Sequence, residues 1–142
     1  MTQTSMSHQA ATKGQVHEAL AATDWRLYDG QLVMRSNGGA GGIFLIMNGL
    51  LRLVPDPATF ANLFNSPTVQ QNDYLVDNCP PGPAISSGAV IAQGAGPAQY
   101  LITNDVKMWI PSPAVVAQFS FNSPVVVPNI LLEFISTGPN VG

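Results

Sequence analysis

A chain of 142 residues is the size of one domain, or of two small repeats that must share a core because each buries too little surface alone. Hydrophobic residues make up 46% of it and charged residues only 9%, against roughly 25% in ordinary soluble domains, so the surface should be uncharged-polar with an apolar patch suited to a second copy. A net charge of -3 with five scattered Lys and Arg gives no phosphate-binding stripe, which argues against nucleic acid, and no apolar run reaches the roughly 20 residues of a transmembrane span.

Met1 to Lys13 is Thr, Ser, Gln and His with no apolar core, so it does not read as a secretory signal peptide. Residues 1–23 are expected to form a flexible or partly helical tail, with two helical turns over Gln15 to Ala22. The location is then either cytoplasmic or reached by a non-classical export route. Trp25-Arg26-Leu27-Tyr28, Asp29-Gly30 and Gln31 to Arg35 together predict a first hairpin, since Asp-Gly suits a type I′ turn. Asn37 to Gly42 is a flexible connection; it has the glycines of a phosphate loop without the Gly-Lys-Ser/Thr ending.

Ile43 to Met47, Asn48-Gly49 and Leu50 to Val54 give the strongest local signal, a hairpin whose two-residue turn fixes the register. Met47 then faces Leu50, Ile46 faces Leu51 and Phe44 faces Leu53, and apolar residues on both faces predict a buried, central position. Gln99 to Thr103, Asn104-Asp105 and Val106 to Ile110 repeat the pattern, pairing Ile102 with Lys107 and Tyr100 with Trp109. This copy is more amphipathic, with one face toward water. Each hairpin ends in Pro-x-Pro, at Pro55-Asp56-Pro57 and Pro111-Ser112-Pro113. The first proline holds the preceding residue extended, Asp56 or Ser112 caps, and the second proline opens a short helix. Helices are predicted over Ala58 to Phe64 and Ala114 to Phe121. Val125 to Val127 reads as a strand with Thr68 to Gln70 as its more polar counterpart, and Asn72 and Asn129 are expected to cap a final helical turn.

The chain thus follows one plan twice, over about 24–86 and 87–142, with Phe64-Asn65-Ser66-Pro67 returning as Phe121-Asn122-Ser123-Pro124 and Gly82-Pro83 as Gly138-Pro139. The predicted fold class is mainly β with short helices (α+β): two tandem β-hairpin-helix repeats with approximate twofold symmetry sharing one core, in a single domain over 24–142. The glycine-led strand at Gly88, Tyr100-Leu101-Ile102, Trp109-Ile110-Pro111-Ser112-Pro113 and Thr137-Gly138-Pro139 resemble a bacterial tandem module found in secreted and surface-associated proteins. That resemblance implies a non-catalytic accessory or recognition role and brings no established site with it.

Chemistry for catalysis is sparse. His8 and His17 lie before the repeats without metal-ligand spacing, Ser86-Ser87-Gly88 is a turn, and Asp29, Asp56 and Asp105 are accounted for as turn and cap residues. Asp73 and Asp77 could share a short helical face, and Cys79 has no partner for a disulfide. The chain reads as non-enzymatic, with no cofactor and no metal. Its candidate ligand-binding residues are Tyr100, Trp109, Lys107 and Asn104, with Trp25 and Tyr28 on the expected first hairpin. A Tyr100 and Trp109 wall with amide and ammonium groups nearby suits stacking on a sugar ring; alternatively the pair packs in the core, as Phe44 and Leu53 would. The leading expectation is a multivalent lectin-like module binding a glycan or cell-surface ligand as a homo-oligomer. A structural assembly subunit and a small toxin or membrane-active agglutinin component are the alternatives.

Overall fold

The computed structural model describes residues 23–142, so the helical turns expected over Gln15 to Ala22 lie outside the described residues. Within them the fold is mixed α+β, with nine strands in two mixed sheets and four short α-helices. The strands are β1 (Leu32–Met34), β2 (Phe44–Met47), β3 (Leu50–Leu53), β4 (Val69–Gln71), β5 (Val90–Gln93), β6 (Gln99–Thr103), β7 (Val106–Ile110), β8 (Val125–Val126) and β9 (Ser136–Thr137). The helices are α1 (Pro57–Leu63), α2 (Asp73–Asn78), α3 (Pro113–Gln118) and α4 (Asn129–Phe134).

The first sheet has the order β3-β2-β1-β4 and the second β8-β5-β6-β7-β9. In each, three antiparallel strands form a meander, and the strand after the next helix returns parallel to the first: β4 on β1, β8 on β5. Parallel β9 closes the far edge of the second sheet, where the first has a parallel bridge from Leu51 to Pro81.

Both central hairpins have the register that their turns dictate. Met47 pairs with Leu50, Ile46 with Leu51 and Phe44 with Leu53, while Ile102 pairs with Lys107 and Tyr100 with Trp109. At the turns Asn48 and Gly49 have φ of 54° and 75°, and Asn104 and Asp105 have 52° and 63°, the left-handed values a type I′ turn needs at both positions. The strand-to-helix switches also form as the prolines require. Asp56 Oδ1 accepts from the Thr59 amide at 2.7 Å and Ser112 Oγ from that of Val115 at 3.3 Å, with Pro57 and Pro113 opening α1 and α3.

Two expectations need correction. Trp25–Tyr28 is a 3-10 turn capped by Asp24, not a strand, so Asp29-Gly30 is no hairpin turn. The Asp29 carboxylate instead accepts from the Gly49 amide at 2.9 Å and anchors the segment to the β2-β3 turn. Asn72 caps α2 through the Leu75 amide, but Pro128 stands at the cap of α4, and the Asn129 side chain accepts from the Ala95 amide across 2.8 Å.

One buried cluster draws on both halves of the chain, with Leu32, Leu45 and Met47 of the first sheet meeting Ile91, Leu101 and Met108 of the second. Within it Phe64 and Phe121 form an antiparallel bridge, rings stacked at 6.1 Å, flanked by hydrogen bonds from the Asn65 amide to Ser120 O (2.9 Å) and from the Asn122 amide to Leu63 O (2.7 Å). A second cluster fills the other face of the first sheet, where Val33, Ile46 and Leu51 pack against Trp25, Leu75, Val76 and Cys79. The first hairpin is therefore covered on both sides, as its two apolar faces demand. The second sheet has Leu101, Thr103, Met108 and Ile110 turned inward and buried, and Tyr100, Ile102, Lys107 and Trp109 turned outward.

Candidate functional site

On the outward face of the second sheet, Val125, Ala92, Tyr100 and Trp109 line up in one row across four strands. Ala92 is buried within that row, and Trp109 is 41% exposed. Lys107, one pleat along, holds its ammonium 5.8 Å from the Tyr100 ring centroid and donates to the Leu132 carbonyl at the end of α4. Tyr100, Lys107 and Trp109 thus come together as the paired strands require, but the face of Tyr100 is taken by Lys107. Trp109 is left as the ring open to a ligand.

Trp109 is among the residues that line a groove of about 390 Å³ at the junction between the second hairpin and α3. Its other walls are Pro97, Pro111 and Pro113, with Gln99, Ile110 and Val116 between them. The prolines that switch strand into helix therefore also shape the groove, because a rigid Pro-x-Pro bend cannot lie flat against the strand before it. Gln99 supplies an unusual group: its Oε1 is buried with no hydrogen-bond partner, a state that costs about 1–3 kcal/mol.

The first half carries a groove of about 340 Å³ at the same place. Every wall has a counterpart 56 positions on: Gly42 and Ala98, Ile43 and Gln99, Val54 and Ile110, Pro55 and Pro111, Asp56 and Ser112, Pro57 and Pro113, Phe60 and Val116. What differs is the chemistry. Ile43 stands where Gln99 does, and Leu53 takes the place of Trp109, so the first groove is apolar apart from Asp56.

Three of the expected site residues lie elsewhere. The Asn104 side chain donates to Ala84 O at 2.9 Å and accepts from Arg52 at 2.7 Å and Thr103 at 2.7 Å, all within the protein. Trp25 is buried, and half-buried Tyr28 packs beside it at 5.9 Å between ring centroids. Both serve the first sheet's outer cluster rather than a surface. Gln99 and the proline walls were missed because an amide at a strand start and a helix-opening proline have structural explanations in sequence; only the coincidence of their walls with an exposed Trp marks them.

Asp73 and Asp77 are engaged on α2, Asp73 accepting from Ser36 and Asp77 pairing with Arg35. Cys79 is buried, donates weakly to Gly49 O, and burial together with the nearby Asp29 charge pushes its thiol up to about 11, away from nucleophilic use. Among the described residues no group of three His, Cys, Asp or Glu is placed to hold a metal ion, and no helix is long and apolar enough to cross a membrane. No family model, no curated protein and no solved structure matches the chain.

Proposed function

We propose that this protein is a non-enzymatic recognition module of lectin-like character, and that the groove beside Trp109 takes a carbohydrate. The observation that carries the proposal is Trp109 itself: a large aromatic residue, 41% exposed, among those that line a groove. Such a ring stacks on the C–H face of a pyranose, and the unpartnered Gln99 oxygen is an acceptor that a ligand hydroxyl can satisfy once the amide turns toward it. Pro97, Pro111 and Pro113 keep the walls rigid, which lowers the ordering cost of binding.

In this proposal the two halves are copies of one hairpin-helix unit, related by an approximate twofold that passes between Phe64 and Phe121, and form a single domain. The reciprocal hydrogen bonds around that pair support it, as do the matching meanders and the matching grooves. Each chain presents one Trp109 groove, so in this proposal multivalency comes from association of copies, and the resemblance to a bacterial tandem module of surface-associated proteins fits the same role.

The test is a glycan array read with the native chain, Trp109→Ala and Gln99→Met. Glycan binding by the native chain that Trp109→Ala abolishes supports the proposal. No bound glycan, or binding that the tryptophan substitution leaves unchanged, rejects it.

A further inference from the structure

Helices α2 and α4 hold matching places after their sheets, and each buries one leucine, Leu75 or Leu132. Their outward positions diverge. Asp73 and Asp77 on α2 meet Ser36 and Arg35, whereas the matching residues of α4 are Ile130 and Phe134, 60% and 82% exposed, beside Leu131 at 46%. The strand before α4 adds Val125 at 49% and Val126 at 80%. Helix α2 exposes Tyr74, at 52%, between its two carboxylates, whereas α4 exposes three apolar side chains, and apolar side chains held in water gain nothing for an isolated chain.

We propose that the outer face of α4 with β8 is a self-complementary interface between two copies of this chain. Without Val126, which alternates to the other face of the sheet, the exposed side chains of Val125, Ile130, Leu131 and Phe134 amount to on the order of 400 Å², the scale of a monomer's largest patch and most of the apolar share of one ~800 Å² half-interface. Glu133 is the lone charged residue between Val125 and Thr137, so the patch carries no charge pattern that would select an unlike partner. A twofold pairs the patch with itself and closes at two copies. Pro124 and Pro128 bracket β8 and lack the amides needed to extend the sheet, so the copies join through side chains, with Ile130 and Phe134 one helical turn apart at the centre. None of these residues walls the Trp109 groove, so a dimer presents two such grooves.

Sedimentation velocity and light scattering on the full chain over a range of concentrations test this. The native protein is expected at about twice 15.0 kDa. Ile130→Asp with Phe134→Asp installs the residues of the first half and should weaken association at least about 100-fold, leaving a monomer with an unchanged near-ultraviolet circular dichroism spectrum. The milder Phe134→Gln should weaken it about tenfold. A native chain that stays monomeric, one that grows into open polymers, or a Phe134→Gln variant that associates as tightly as the native chain overturns the proposal. The mass is read without any glycan, so failure here is separate from failure of the carbohydrate proposal.

Discussion

Arg52 donates through Nη2 to Asn104 Oδ1 across 2.7 Å, joining the β3 strand of the first hairpin to the turn of the second. Arg52 is buried, its Nε donates to Pro83 O at 2.8 Å, and burial holds its guanidinium below the ordinary arginine value. Asn104 also donates to Ala84 O, and across the molecule Asn48 likewise donates to Asn140 O at 2.9 Å, the position matching Ala84. Each turn asparagine thus ties down the chain end of the other half. Asn104→Ala leaves a buried cation and a carbonyl short of partners and sets an alanine at φ 52°, so it should cost about 2–4 kcal/mol in urea unfolding. Asn104→Asp, which keeps the acceptor opposite Arg52, should cost less. Equal losses for the two variants would show that the arginine contact is not what stabilises the turn.

The Phe64 and Phe121 pair makes a sharper test of whether the halves fold as one unit. Both rings are buried and stacked at 20° between planes, and Phe121 stacks in turn on Phe119 at 5.2 Å. Either alanine substitution should cost about 3–5 kcal/mol, and the double variant less than the sum, since the second truncation removes a partner already gone. Strictly additive losses, or two separate unfolding transitions in the native chain, would mean that the halves are not coupled through this bridge.

Gly30 and Gly88 each stand just ahead of the first strand of a sheet, with φ of 90° and 84°, yet their surroundings differ. A Cβ on Gly30 would lie 2.4 Å from the Gln118 carbonyl oxygen, whereas one on Gly88 would meet nothing within 4 Å. Gly88→Ala should therefore cost only the left-handed strain of about 1 kcal/mol, and Gly30→Ala at least about 2 kcal/mol more, because backbone must move. Similar losses at both positions in denaturant titrations would exclude the α3 contact as the reason for glycine at 30.

Most of this architecture is legible in the chain because its signals are local. Asn-Gly and Asn-Asp turns set both hairpin registers, and Pro-x-Pro with Asp56 or Ser112 sets both strand-to-helix switches, each through dihedral preferences that neighbours cannot override. Trp25–Tyr28 failed for the converse reason. Asp-Gly admits several turns, and the outcome was decided at long range by the Asp29 bond to Gly49 and by burial of Trp25 on the first sheet. At the site, the Tyr100 and Trp109 pairing follows from register. The capture of Asn104 by Arg52, fifty-two residues away, and the meeting of Gln99 with Pro111 in one groove depend on how the elements pack, which no short pattern encodes.

Acid stability is set by opposing carboxylates. The Ser87 hydroxyl, followed by the Thr59 amide, holds the Asp56 carboxyl below the usual carboxylate range, and the Ser36 hydroxyl and amide do the same for Asp73. Both groups release their protons more readily in the folded chain, so their stabilisation is present above the unfolded value of about 3.9 and is lost as pH falls through the lower folded value. Burial raises Asp29, against the bond from the Gly49 amide, so its contribution runs the other way: full at low pH and lost as pH rises through its folded value. Thermal melts from neutral pH down to about pH 3 should show Ser87→Ala losing less on acidification than the native chain. Asp29→Asn, which removes the ionisable group, should gain most over the native chain at neutral pH and converge with it in acid. A Ser87→Ala curve parallel to the native one would mean that the cap carboxylate is not held by that hydroxyl.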